Sequence, residues 1–138
     1  MADILLSRIM TGKRKEAVAK IRMKAGKGEV YYKGLPANEL PLFHKLALAE
    51  PLRIFQHELG EDLRYDFYIR ASGGGKEAQI QAARLALAKA LIEITGSETL
   101  KKAFIAYDRN MVVPDARRKE ASKPGDSAPR AKRQKSYR

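Results

Sequence analysis

Two stretches of the chain alternate apolar and polar residues with the two-residue period of a half-buried β-strand. From residue 16 onward, one face holds apolar side chains and the other holds cations: Ala17, Ala19, Ile21 and Met23 against Lys20, Arg22 and Lys24. The stretch 64–71 places Tyr65, Phe67, Ile69 and Ala71 opposite Asp66, Tyr68 and Arg70. Both patterns predict strands with one face in the core and one face open.

Two weaker patterns predict further strands. The apolar run from Ile4 to Met10 stops at Gly12, which is consistent with a largely buried first strand that ends there. Residues 29–32 follow a Gly-containing turn at 26–28, so they are predicted to return as the hairpin partner of the cation-bearing strand.

Four segments have the periodicity or the ends expected of helices. Residues 38–47 and 51–59 are predicted as two short helices, because Pro51 suits the first turn of a second helix. The strongest prediction is an Ala-rich helix at 76–94, and a last short helix follows at 98–104. The predicted fold class is α+β, a small and mostly antiparallel sheet with helices on one face.

The 138 residues include 28 Lys and Arg against 16 Asp and Glu, which gives a formal charge of +12. Residues 8–33 hold nine cations against two acidic residues, residues 109–138 hold ten against three, and the segment between them is almost neutral. A charge excess of this size is costly unless a polyanion neutralises it, so nucleic acid is the predicted partner.

The segment after Val113 is also not expected to fold on its own. After Val113 there is no Val, Ile, Leu, Met or Phe, and Tyr137 is the only large side chain with apolar surface. Such a segment cannot bury enough surface to offset the entropy of ordering. We therefore predict a globular RNA-binding body at 1–113 and a basic extended arm at 114–138 that orders only on a partner.

Three groups of residues are candidates for contacts with RNA phosphates. One is the consecutive set Lys13, Arg14 and Lys15, predicted to lie on a connector that feeds the cation-bearing strand, so that both form one continuous positive track. The second is the cation row of that strand. The third is the end of the arm at 133–138, which interleaves cations with Gln, Ser and Tyr in a way that suits unpaired RNA.

A Gly-rich turn precedes the long helix and consists of Gly73, Gly74, Gly75 and Lys76. Its backbone N–H groups stand at the positive end of a helix, where a phosphate or an acidic group would bind. Alternatively, the glycines let strand and helix approach closely. A P-loop is excluded, because Arg70 occupies the position of its first Gly and Glu77 the position of its hydroxyl residue.

Little in the sequence indicates an enzyme. There is no Cys, His44 and His57 lie in segments rich in apolar residues, and no nucleophile or carboxylate pair stands at a catalytic spacing. We predict no catalytic residue, no metal site and no cofactor. Because the apolar runs are too short for a signal peptide or a membrane span, we expect a cytoplasmic location and no membrane partner.

These residues alone leave two other classes of function open. A free-standing RNA chaperone or regulator shares every argument from charge. An enzyme that uses a nucleotide at the Gly-rich turn would bind ATP or GTP saturably.

Four motifs together resemble the ninth protein of the small ribosomal subunit, in its archaeal and eukaryotic form. They are Thr-Gly-Lys-Arg-Lys-Glu-Ala-Val-Ala at 11–19, three glycines at 73–75 followed by Gln79, Ala83 and Arg84, Tyr-Asp-Arg at 107–109, and Gln-Lys-Ser-Tyr-Arg at 134–138. Their order and spacing cover nearly the whole chain.

The resemblance implies a fold like the second domain of small-subunit protein five and a place in the head of the subunit. It implies three partners, namely rRNA, neighbouring head proteins and the tRNA of the peptidyl site, and no homo-oligomer. The tRNA contacts would fall on Arg138, with Lys135 and Tyr137 nearby. The rRNA contacts would fall on Lys13, Arg14, Lys15, Arg117, Arg118, Arg130, Lys132 and Arg133, and the candidate set also includes Lys20, Arg22, Lys24, Gly73, Gly74, Gly75, Lys76 and Arg109.

Overall fold

The computed structural model describes residues 8–135 and 137. Five strands form one sheet in the order β1-β2-β5-β3-β4. Their bounds are β1 Met10–Arg14, β2 Ala17–Ala25, β3 Val30–Tyr32, β4 Leu35–Pro36 and β5 Tyr65–Ser72. All neighbours are antiparallel except β3 and β5, which run parallel.

Three helices cover one face of the sheet, and the fold is therefore the α+β class that the sequence predicts. They are α1 Leu42–Leu59, α2 Lys76–Thr95 and α3 Glu98–Tyr107, with short 3-10 turns at Ala37–Glu39 and Arg109–Met111. None of the helices in the described part of the chain has the length and apolar character needed to cross a membrane.

The core lies between β1, β2, β5 and the Ala-rich helix α2. The four alternating apolar residues of β2, Ala17, Ala19, Ile21 and Met23, are completely or almost completely buried, as their alternation predicts. Gly12 of β1 packs so closely on α2 that a Cβ atom there would lie 2.1 Å from the carbonyl oxygen of Ala82 and 2.7 Å from the backbone nitrogen of Ala86. A glycine facing small alanines therefore sets how near the first strand lies to the helix.

The prediction for the first strand is wrong at its C-terminal end. The strand continues through Gly12 to Arg14, because Gly12 is needed inside it for the contact with α2. Ile9 lies before the strand, and residues 4–7 of the predicted strand lie outside the described residues.

The predicted hairpin of β2 with residues 29–32 is also wrong. β5 lies between β2 and β3, and β3 instead forms its hairpin with β4. The Asp66 carboxylate of β5 explains this arrangement, because its Oδ1 accepts the backbone N–H groups of Lys27, Gly28 and Glu29 at 2.8, 3.0 and 3.0 Å. These bonds hold the turn at the start of β5 and direct the chain to the far side of that strand.

The two short helices predicted at 38–47 and 51–59 are one continuous helix, α1, with Pro51 inside it. Leu48, Pro51 and Phe55 are all buried, so packing against the body outweighs the backbone hydrogen bond that proline cannot donate. Asn38 belongs to the preceding 3-10 turn and does not cap the helix. The predictions for α2 and α3 are confirmed, although α3 extends to Tyr107.

Candidate RNA-binding surfaces

The side of the sheet away from the helices, called here the open face, carries a group of cations. Lys20, Arg22 and Lys24 all project from it, so the row predicted on β2 is confirmed. In register, Arg70 of β5 lies opposite Lys20. Lys13 of β1 lies opposite Val18 on the same side, so it also belongs to the open face.

Two tyrosines lie on the open face beside these cations. The rings of Tyr31 and Tyr68 stack with their centroids 5.0 Å apart and an angle of 7° between their planes. The Nζ atom of Lys24 lies 5.2 Å from the centre of the Tyr68 ring. The open face therefore combines positive charge with aromatic surface.

The prediction that Lys13, Arg14 and Lys15 all lie on a connector is wrong for Lys13 and Arg14, and Arg14 does not continue the positive track. Lys13 and Arg14 belong to β1, so their side chains point to opposite faces of the sheet. The Arg14 guanidinium pairs with the carboxylate of Asp115 on the helix side. Lys15 occupies the turn after β1 with a φ of 52°.

Asp115 links the segment that follows Val113 to β1. Only 10% of its side chain is exposed, and it holds Arg14 of β1 together with Arg117 of the arm, whose Nη2 lies 2.7 Å from its Oδ2. Arg118 donates to the backbone oxygen of Asp115 at 2.8 Å. The first residues of the arm are thus fixed to the edge of the sheet.

Two of the three glycines before α2 have a structural reason to lack a side chain. A Cβ at Gly73 would lie 2.6 Å from the carbonyl oxygen of Glu16, and one at Gly74 would lie 3.1 Å from the nitrogen of Ala17. Gly75 has open space around it and precedes the exposed Lys76 at the start of the helix. Close approach of this turn to Glu16 and Ala17 therefore accounts for the first two glycines, a different contact from the approach of strand and helix that the sequence suggested.

A largely buried cation organises the Tyr-Asp-Arg motif. Arg84 of α2 donates to Asp108 at 2.8 Å and lies 2.6 Å from a carboxylate oxygen of Glu50 in α1. Burial acts to raise the pKa of Asp108, but the N–H of Asn110 and the Arg84 guanidinium outweigh it and hold that pKa below its usual range. Arg109 follows Asp108 and is exposed.

The described residues of the arm form no helix or strand and are exposed or half-buried. Arg130 pairs with Glu120 at 2.9 Å and Arg133 with Asp126 at 3.6 Å. Tyr137 is 88% exposed. Ser136 and Arg138 lie outside the described residues. Within the described part of the arm, the cations with no ion-pair partner are Arg118, Lys119, Lys123, Lys132 and Lys135.

Arg70, Tyr31 and Tyr68 are not among the residues that the sequence predicts to bind RNA. The alternation at 64–71 already placed Tyr68 and Arg70 on the polar side of their strand. It did not show that this strand lies directly beside β2, which is what brings Arg70 to Lys20.

The sequence matches one family over almost its whole length. The family described as ribosomal protein S9/S16 matches residues 12–138. Small ribosomal subunit protein uS9 of Methanococcus maripaludis strain C5 is 43% identical over 130 residues, covering 92% of this chain and 95% of that protein. The same protein of Methanococcus vannielii is 42% identical with the same coverage.

The chain combines a small α+β fold, a basic open face and a basic C-terminal segment. Together with these relatives, the combination identifies it as a ribosomal structural protein. The chain belongs to the ribosomal protein S9/S16 family, and it is of the archaeal type. The resemblance found in the sequence is thereby confirmed. As a ribosomal protein of the small subunit the chain is a structural constituent of the cytoplasmic ribosome, and not an enzyme.

Proposed function

We propose that the chain binds rRNA in the head of the small subunit through the open face and the arm, and that the end of the arm reaches the tRNA of the peptidyl site. The observation that carries this proposal is the amount of positive charge without a counter-charge. Among the described residues, no ion pair involves Lys13, Lys20, Arg22, Lys24 or Arg70 of the open face. Phosphates would neutralise these side chains.

The division into a body at 1–113 and an arm at 114–138 is part of the proposal. The absence of helix and strand from the described arm residues and their exposure support it. Asp115 would fix the direction in which the arm leaves the body, through its ion pair with Arg14. Arg14 would therefore act at the root of the arm, while Lys13 and Lys15 contact phosphates directly.

The remaining rRNA contacts would come from the arm and from the exposed cations near it. Cations on an extended chain suit RNA segments that crowd together, because each side chain neutralises backbone phosphates without the bulk of a folded element. The residues assigned to this role are Lys76, Arg109, Arg117, Arg118, Arg130, Lys132 and Arg133, and the turn of Gly73, Gly74 and Gly75 would add backbone N–H groups.

The tRNA contact would come from the last residues, Lys135, Tyr137 and Arg138. Lys135 is exposed and without an acidic partner in the described part of the arm, and the Tyr137 ring is almost fully exposed. An aromatic ring between two cations suits the phosphates and unstacked bases of an anticodon loop.

Salt dependence tests the rRNA contacts. An arm that makes about six phosphate contacts predicts that the logarithm of the binding constant falls with the logarithm of salt concentration with a slope of roughly −4 to −5. The measurement is filter binding of the full chain to head-domain rRNA across a salt series. Binding that does not change with salt would contradict the proposal.

Small subunits assembled with a chain that ends after Arg133 test the tRNA contact. This truncation removes Lys135, Tyr137 and Arg138, the three proposed contacts, and it should leave assembly intact while weakening retention of tRNA in the peptidyl site. The matched control is the double substitution Lys119→Gln and Lys123→Gln, which removes two cations from the middle of the arm. Equal tRNA retention by the truncated and the unaltered chain would rule out this contact.

A further inference from the structure

The two stacked tyrosines and the cations line one concave site on the open face. The cavity has a volume of about 520 Å³, and its lining includes Lys20, Arg22, Lys24, Tyr31, Tyr68 and Arg70. Gly34, in the turn between β3 and β4, lies at its rim, and a Cβ atom there would meet nothing within 4 Å. No side chain at position 34 narrows the cavity that Tyr31 also lines.

Charge is distributed unequally along this cavity. Lys20 and Arg70 face each other at one end, where no carboxylate pairs with them among the described residues. At the other end two carboxylates lie near the cations: Asp66 is opposite Lys24 in register without forming an ion pair with it, and Glu29 accepts a hydrogen bond from the Tyr31 hydroxyl. An anionic group would therefore bind at the Lys20 and Arg70 end, and an uncharged planar group would bind at the tyrosines.

The side chain of Tyr31 is held in place before any ligand binds. Its hydroxyl donates to the Glu29 carboxylate, and this hydrogen bond is the largest cause that raises the pKa of Tyr31 to about 12. Stacking on Tyr68 holds the ring upright on the sheet. A ring that is already fixed loses little conformational entropy when a ligand stacks against it.

We propose, building on the rRNA-binding function proposed above, that this cavity holds one unpaired nucleotide of RNA, with its base against the Tyr31 and Tyr68 pair and its phosphates at Lys20 and Arg70. Aromatic side chains on a sheet bind bases that are not paired, because a paired base is already stacked within its helix. The open face would then recognise a bulge or loop nucleotide in addition to the phosphates of a duplex.

Tyr31→Leu and Tyr68→Leu in the full chain test the site, with a single-stranded adenylate decamer and an RNA duplex of equal length as probes. Each substitution should weaken decamer binding by about fivefold to a hundredfold, leave duplex binding unchanged and leave the salt slope unchanged. Tyr107→Leu is the matched control, because Tyr107 is 60% exposed on α3, on the helix side of the sheet. Tyr68→Phe should keep wild-type affinity.

The proposal is overturned if both leucine variants bind the decamer as tightly as the wild type does. It is also overturned if they lose affinity for the decamer and the duplex equally. An oligoglutamate peptide that displaces the decamer and loses affinity in the same variants would instead assign the face to an acidic protein segment. If RNA binding depends on salt but both leucine variants bind the decamer as tightly as the wild type, only the proposed nucleotide site is wrong. If salt dependence itself is missing, the rRNA-binding function fails.

A measurement on the unaltered chain covers the case in which a leucine variant does not fold. A thiouridine-substituted decamer is irradiated in complex with the full chain, and the adducts are mapped by mass spectrometry. Adducts on Tyr31 or Tyr68 are the expected result. Adducts confined to the arm would refute the site.

Discussion

The guanidinium of Arg84 lies 2.8 Å from the carboxylate of Asp108, and this contact ties the middle of α2 to the residue that follows α3. Only 10% of the Arg84 side chain is exposed, and its other Nη atom lies 2.6 Å from Glu50 of α1. One cation therefore joins all three helices. Asp108 also accepts the N–H of Asn110 and so begins the turn that leads to the arm.

Replacing Asp108 by Asn should lower the free energy of unfolding by about 1–3 kcal/mol, because Arg84 would lose a charged partner in a largely buried position. Urea denaturation measures the change. Glu120→Gln is the control, since it breaks the exposed pair with Arg130 and should cost less than about 1 kcal/mol. Similar losses in the two variants would mean that the Arg84 contact does not stabilise the body.

Asp108 should also make stability depend on pH in the acid range. Its pKa is lower in the folded chain than in the unfolded chain, where it is near 3.9. The contribution of Asp108 to the free energy of unfolding is therefore present above its unfolded pKa. This contribution is lost as the pH falls through the pKa of Asp108 in the folded chain. Urea midpoints measured down to about pH 2 should fall less steeply in Asp108→Asn than in the wild type. The wild type keeps some acid sensitivity in either case, because hydrogen bonds from the N–H groups of Glu29, Lys27 and Gly28 outweigh burial and also lower the pKa of Asp66.

Gly12→Ser should destabilise the body by about 1–3 kcal/mol or more, because the new side chain would overlap the backbone of α2. Gly75→Ser is the matched control. That position has open space and a negative φ, and it caps α2, where Ser is favoured, so the change should be neutral or slightly stabilising. Thermal unfolding of the two variants checks both expectations, and equal melting temperatures would contradict the close packing of β1 on α2.

Asp115→Ala should loosen the root of the arm by releasing Arg14 and Arg117. Trypsin should then cleave after Arg117 about fivefold faster, which corresponds to roughly 1 kcal/mol of lost local stabilisation. Glu120→Ala serves as control, since its pair with Arg130 lies farther along the arm and should not change cleavage at Arg117. An unchanged rate in Asp115→Ala would show that this residue does not hold the arm.

The elements that could be predicted from the sequence are those whose pattern is local. The alternation on β2 and β5 and the Ala-rich character of α2 identify which residues face the core, because each side chain's orientation follows from its own backbone. The same alternation predicts the row of Lys20, Arg22 and Lys24, which are three of the five cations named on the open face.

What could not be predicted depends on partners far away in the chain. The position of β3 is set by Asp66, which is 37 residues from Glu29. Arg14 is predicted on a connector because the apolar run before it stops at Gly12, and nothing near it in the sequence indicates its pairing with Asp115, 101 residues later. Pro51 ordinarily marks a helix start, and only the burial of its helix face shows why α1 continues through it.

The position of β5 between β2 and β3 determines when the sheet can assemble during synthesis. The β1–β2 and β3–β4 hairpins each form from neighbouring residues, but they share no ladder with one another. A nascent chain that stops before Tyr65 can therefore form at most two separate hairpins, because the strand that joins them in the sheet has not yet been made. The helix that covers them, α2, is made later still, so the sheet and its core are completed late, shortly before the arm itself is translated.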